Sequence, residues 1–212
     1  MNASNHVMAD ARIIGSADLP SIAGVRIYLA RHGETALNAA GVLRGRLDPE
    51  LDSIGRRQAK ALGDVLGCEN VQLIVTSPLR RAVATAQAVA TRVSLELEID
   101  PRFIDRDYGS WAGHAREEVI QRWGSVDNAP DVEDVAQIRT RAMAALEQIV
   151  KRMERGAAGV VVSHDAINQI LLVAIDPQFD RNDPLPQETG CYNVLEHDGR
   201  AWTVLSINNV SG

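Results

Sequence analysis

The sequence predicts a single α/β domain of three layers, a mostly parallel central sheet with helices on both faces. Three observations carry this. Strand-like and helix-like runs alternate along the chain, the pattern of a wound α/β fold. Two apolar runs each end in a turn bearing histidine, Val25–Ala30 into Arg31-His32-Gly33 and Val160–Val162 into Ser163-His164-Asp165. The chain of 212 residues, 45% hydrophobic and 24% charged, is long enough for one sizeable core.

Val25–Ala30 is the first strand, and an irregular stretch follows over 41–49. Asp52 or Ser53 can cap a helix from Ile54 to Leu66, which sets Ala59, Leu62, Val65 and Leu66 on one face. Val71–Thr76 is a second strand. Ser77-Pro78 suits the start of a helix running to about Thr91, serine as N-cap and proline at the first helical position. Val93, Leu95, Leu97 and Ile99 alternate as a half-buried strand. Residues 100–113 read as a loop. Helices are expected over 115–123 and 132–154, then a buried strand over 160–163 and a buried helix over 166–174. Cys191–Leu195 and Ala201–Ile207 form a hairpin around Asp198-Gly199. Residues 1–24 read as a polar extension and 25–212 as the folded domain.

Composition narrows the function classes. The net charge of −6 shows no basic stripe for nucleic acid. No apolar run is long enough to span a membrane. Two cysteines, Cys68 and Cys191, lie far apart, which points to a reducing, cytoplasmic setting. No spacing of His, Cys and carboxylates suggests a metal site, no cofactor is implied, and no P-loop is present. Oligomeric state is left open, with a homodimer the form to test.

Histidines at strand ends with arginine-rich turns suggest a pocket for a phosphoryl group. A neutral imidazole can attack phosphorus through one nitrogen when the other donates to a fixed acceptor. Planar guanidinium forks match phosphoryl oxygens bidentately.

Six ordered motifs extend this reading: Arg31-His32-Gly33-Glu34-Thr35 with Asn38; Gly45 with Asp48; Leu51 with Gly55 and Gln58-Ala59; Ser77-Pro78-Leu79 with Arg81-Ala82 and Thr85-Ala86; Tyr108-Gly109 with Trp111 and Gly113; and Ser163-His164. Together they resemble the histidine phosphatase superfamily, the phosphoglycerate mutase-like group, in its small-phosphatase branch. The resemblance implies that fold, a metal-independent phosphomonoesterase, and a small phosphorylated metabolite as substrate. It implies His32 as the nucleophile that becomes phosphorylated, with Arg31, Arg81, His164 and Asn38 holding phosphate. Arg44 stands where relatives often carry Thr, Ser or Gln; it adds a substrate contact or is simply exposed.

The proton donor departs from the family pattern. The usual glutamate four residues before the Gly of the Tyr-Gly turn is here Asp105, one methylene shorter. Asp165, directly after the second histidine, occupies the donor position of the superfamily's other branch, and capping the following helix would equally explain it. The acid is thus Asp105 or Asp165, and only Asp105 sits in matching motif surroundings. Two rival functions remain. A phosphoglycerate mutase would need longer insertions and a Trp where this chain has Arg46-Leu47. A phospho-ligand-binding module would need neither aspartate to reach the leaving group.

Overall fold

The computed structural model describes residues 24–179 and 185–211. The extension expected over 1–24 therefore lies outside the described residues, but for Gly24.

Six strands form one sheet in the order β3-β2-β4-β1-β5-β6. They are β1 (Val25–Arg31), β2 (Val71–Thr76), β3 (Leu97–Ile99), β4 (Ala158–Ser163), β5 (Tyr192–His197) and β6 (Trp202–Asn209). The first four in spatial order are parallel; β5 and β6 add an antiparallel hairpin. β1 and β4 are buried along their whole length and occupy the middle, as continuous apolar runs in a parallel sheet should.

Alternation along the strands divides the core. Ile27, Leu29, Val75, Val161 and Leu195 face α5 (Val135–Arg152) and α6 (Asp165–Ile175). Tyr28, Ala30, Ile74, Val160, Val162 and Val194 face α2 (Ser53–Leu66) and α3 (Arg80–Val93). Two short helices complete the set, α1 (Ala36–Ala39) and α4 (Arg116–Trp123). The three-layer architecture read from the sequence is the one observed.

Several boundaries differ, each for a local reason. α2 starts at Ser53, with the Asp52 carboxylate accepting from the Gly55 N–H at 2.8 Å. α3 begins at Arg80 instead of Ser77-Pro78, because the Ser77 hydroxyl accepts from Leu79 N and faces His164. The alternation from Val93 to Ile99 yields only three strand residues, since Val93 completes α3 and Ser94 ends it in the left-handed region at φ 57°. α5 starts at Val135, where Asp134 accepts from Ala136 N and Gln137 N. The hairpin turn is tied by Asp198, which accepts from Arg200 N and Ala201 N.

Candidate active site

β1 and β4 are neighbours, and their register sets Arg31 beside Ser163. One residue further on each strand come His32 and His164, so hydrogen bonding between strands delivers both imidazoles to the carboxyl edge of the sheet. That edge is where α/β proteins build their sites. The His32 N–H donates to Ser163 O at 3.1 Å. The two rings lie 5.2 Å apart, centroid to centroid.

His32 is fully buried. Its Nδ1 sits 2.7 Å from the Gly33 carbonyl, a partner that can only accept, so Nδ1 carries the proton. Nε2 then presents a lone pair, and Arg81 Nε donates to it at 3.1 Å. Burial first, then the charges of Arg81 and Arg31, keep the ring's pKa well below the ordinary histidine value. Gly33 is required by packing: a Cβ there would lie 2.4 Å from the Gly55 carbonyl oxygen. Its N–H donates to Thr85 Oγ1 at 3.1 Å.

Arg81 is the largest fully buried side chain among the described residues. Besides His32 it reaches Leu47 O at 2.6 Å, Gly45 O at 2.8 Å and Asp105 Oδ2 at 2.9 Å. Arg31 donates to the Gln187 carbonyl, and its Nε is buried with no partner. His164 is fully buried; its Nε2 is 2.7 Å from Ser77 Oγ, and its Nδ1 has no hydrogen-bond partner and lies 3.7 Å from Asp105 Oδ2. Burial, and after it Arg81, holds His164 well below the usual histidine pKa.

Asp105 is buried at 3% exposure. Its Oδ1 accepts from Arg106 N at 2.9 Å. Burial raises its pKa, and this outweighs the opposing pull of Arg81 and Arg44. Asp165 is the first residue of α6, but it does not cap the helix. The residue at the cap position is His164, and Asp165 Oδ1 instead accepts from Gln169 Nε2 at 2.6 Å. The capping alternative for Asp165 therefore falls away.

A cavity of about 310 Å³ opens next to these groups, lined in part by Arg31, Asn38, Arg44, Asp105, Tyr108 and Asp165. His32, Arg81 and His164 are fully buried behind the lining residue Asp105, which Arg81 reaches at 2.9 Å and His164 Nδ1 at 3.7 Å. Asn38 turns its Oδ1 back to the Thr35 N–H and hydroxyl. Its Nδ2 is buried without a partner, as is Arg44 Nε. All eight residues singled out in the sequence therefore converge. Among the described residues no group of side chains is arranged to hold a metal ion, and no helix is long and apolar enough to cross a membrane.

Some contributors were not singled out. Ser77 orients His164 from the Ser-Pro step that reads locally as a cap. Gln58 accepts from Glu34 N and donates to Thr189 Oγ1, tying the first turn to the far segment. The Gln58-Ala59 motif was its only signal. Glu34 and Arg116 also line the cavity; Glu34 stands inside the Arg31–Thr35 motif without a role assigned to it, and nothing in the local sequence sets Arg116 apart.

Such a pocket, with two imidazoles, buried guanidiniums and a carboxyl of raised pKa at the head of a parallel sheet, defines a phosphoryl-transfer enzyme that works through histidine. The sequence profile of the histidine phosphatase superfamily (branch 1) matches residues 27–210. Phosphoserine phosphatase 1 of Hydrogenobacter thermophilus is 30% identical, covering 87% of this chain and 92% of its own. The metal-independent phosphoserine phosphatase of Arabidopsis thaliana is 30% identical over 87% of this chain and 82% of its own. Among solved structures, Bacillus stearothermophilus YhfR superposes with TM-score 0.80 at 27% identity, covering 88% of this chain and 98% of that one. A mycobacterial glucosyl-3-phosphoglycerate phosphatase in complex with VO3 superposes with TM-score 0.76 at 26% identity, covering 86% and 98%. The chain belongs to branch 1 of the histidine phosphatase superfamily, and it is a phosphatase of that type.

Proposed function

We propose that this phosphatase hydrolyses small phosphate monoesters that carry a second anionic group, with His32 as nucleophile and Asp105 as proton donor. The observation that carries the reading is the Nε2 lone pair of His32, fixed by the Gly33 carbonyl on the opposite ring nitrogen and met by Arg81 at 3.1 Å. Arriving phosphoryl oxygens take over the Arg81 guanidinium and free that lone pair. Arg31, His164 and the Asn38 amide supply further donors.

The Nε2–phosphorus bond forms as the ester P–O bond breaks, and the Asp105 carboxyl gives its proton to the departing oxygen. Water then attacks phosphorus and loses a proton to the Asp105 carboxylate. The N–P bond breaks, releasing inorganic phosphate and restoring neutral His32. Burial favours the protonated acid that the first step needs. Asp165, tied to Gln169, lines the same cavity as Asp105 and takes no part in the proton transfer of this scheme.

The substrate class rests on Arg44 and Arg116. Both line the cavity; Arg44 Nε is buried without a partner, and the Arg116 side chain makes no hydrogen bond or ion pair among the described residues, its backbone N–H alone donating to Gly41 O. A carboxylate or second phosphate would satisfy them. Phosphoserine and glucosyl-3-phosphoglycerate, named for the relatives, each hold a carboxylate near the phosphate. Two unpaired cysteines fit a cytoplasmic setting.

The test is phosphate release from phosphoserine, 3-phosphoglycerate and glycerol phosphate in the presence of chelator. Wild type should release phosphate, and His32→Gln should lose about 10⁴-fold or more. Arg44→Gln should raise KM about tenfold for the carboxylated esters, the worth of one charge-assisted hydrogen bond, and little for glycerol phosphate. Undiminished release by His32→Gln would refute the nucleophile. A wild-type preference for glycerol phosphate would refute the substrate class. Interconversion of phosphoglycerates with little phosphate release would mark a mutase instead.

A further inference from the structure

The turn that carries Asp105 has no regular secondary structure to hold it, yet Asp105 must be placed closely, since its side chain is short. The structure supplies a brace from the N-terminal end of α5. Arg141 donates from Nε and Nη2 to the two carboxylate oxygens of Glu133, at 3.0 and 3.2 Å. Its remaining Nη1 donates to the carbonyls of Arg102 and Ile104, at 2.5 and 2.9 Å. Ile104 immediately precedes Asp105.

Glu133 closes the other side. Its Oε2 accepts from Asp107 N at 3.0 Å, and its own N–H donates to Asp107 O at 2.8 Å. Its carbonyl accepts from Arg106 Nε at 2.9 Å. The Asp105 peptide is thus gripped one residue before and two residues after. Arg141 and Glu133 are partly buried at 19% and 12% side-chain exposure, so the fork is shielded from water.

The neighbouring backbone is shaped to this fit. Asp131 takes φ 63°, a left-handed conformation that few residues other than glycine adopt. Its carbonyl oxygen would lie 2.5 Å from a Cβ at Gly109, itself at φ 52°. Trp111 Nε1 donates to Pro130 O at 3.0 Å. Two irregular segments therefore lock along their length, with Glu133 and Arg141 at the end nearest the acid.

We propose that the Glu133–Arg141 pair is a positioning clamp that sets the reach of the Asp105 carboxyl to the leaving oxygen. The proposal rests on Asp105 being the proton donor. Neither residue touches substrate; both act through the backbone on either side of Asp105. Small displacements of a catalytic group are costly in rate even when the mutation is remote from the chemistry.

The experiment compares an alkyl phosphate, whose leaving group needs a proton, with p-nitrophenyl phosphate, whose leaving group does not. Arg141→Met and Glu133→Gln should lower kcat/KM, which reports the steps up to departure of the alcohol, about tenfold on the alkyl ester, while kcat/KM for p-nitrophenyl phosphate stays within about twofold. Arg141→Lys should restore part of the alkyl-ester rate. Equal losses on both esters, or no loss, would overturn the clamp. Should Arg141→Met not fold, Glu133→Gln, which keeps the side chain's shape, decides the matter. Asp105→Asn, run alongside, separates the two possible failures. Leaving-group dependence in Asp105→Asn but not in the clamp variants overturns the clamp alone. No such dependence in Asp105→Asn overturns the donor assignment, and the clamp with it.

Discussion

Acidification from pH 7.5 to 5.5 removes folding stability through His32 and His164. Both imidazoles are fully buried, and their rings lie 5.2 Å apart against Arg81. Burial and the nearby guanidiniums keep both neutral well below the pH at which an unfolded histidine takes a proton, about 6.5. Below about pH 6.5 the unfolded chain therefore binds protons that the folded chain refuses, and stability falls as pH falls. For a group that stays neutral when folded, integrating from pH 7.5 to 5.5 gives about 1.4 kcal/mol, or about 2.7 kcal/mol for the pair. That is a large part of the 5–15 kcal/mol or so typical of a domain.

Asp105 acts in the opposite sense. Its folded pKa is raised, so it carries a penalty above that value which disappears as pH falls through it. Asp64, Glu98, Asp100 and Asp198 are held below the ordinary carboxylate range. What they contribute is present above about pH 4 and lost only in stronger acid, outside this window. Urea titrations at pH 7.5 and 5.5 on Asp105→Asn isolate the imidazoles and should show a loss of about 2.7 kcal/mol. Adding His32→Gln should halve the loss. A full loss in the double variant, or a loss below about 1 kcal/mol in Asp105→Asn, would refute the neutral buried pair.

Two more outcomes follow from the geometry. Gly33→Ala places a Cβ 2.4 Å from Gly55 O; it should cost about 1–3 kcal/mol, read as a lower Tm, and depress kcat by shifting His32. An unchanged Tm would mean that the two loops separate easily. Arg81→Lys cannot reproduce contacts to His32, Gly45, Leu47 and Asp105 together; kcat should fall about 10²–10³-fold. A fall below about tenfold would show that the fork is not needed.

The layers of the fold and the chain positions of the site were legible, because both are written locally. The buried runs in β1 and β4 have one reading, and each ends at a histidine. The stretch from Val93 to Ile99 was misread because alternation was weighed without the left-handed stop at Ser94, which closes a helix that had absorbed Val93. Ser77 read as a cap, since its true partner, His164, lies 87 positions away. Asp105 could be found by motif, but its burial and its brace could not. Glu133 and Arg141 meet its turn from 28 and 36 positions further along the chain, beyond α4, with no period linking the two segments. The one-methylene departure from a longer glutamate was visible in the residue names; what compensates for it is visible only in space.

The paired registry of Arg31 with Ser163 has a consequence for how such enzymes diversify. The separation of the two imidazoles is set by the pitch between adjacent strands, a distance that backbone geometry holds near 4.8 Å whatever the surrounding loops do. The hydrolytic centre is in effect ruled onto the scaffold, and the segments over it are free to be rewritten. New substrates can be acquired by altering the canopy, with no need to reinvent the chemistry underneath.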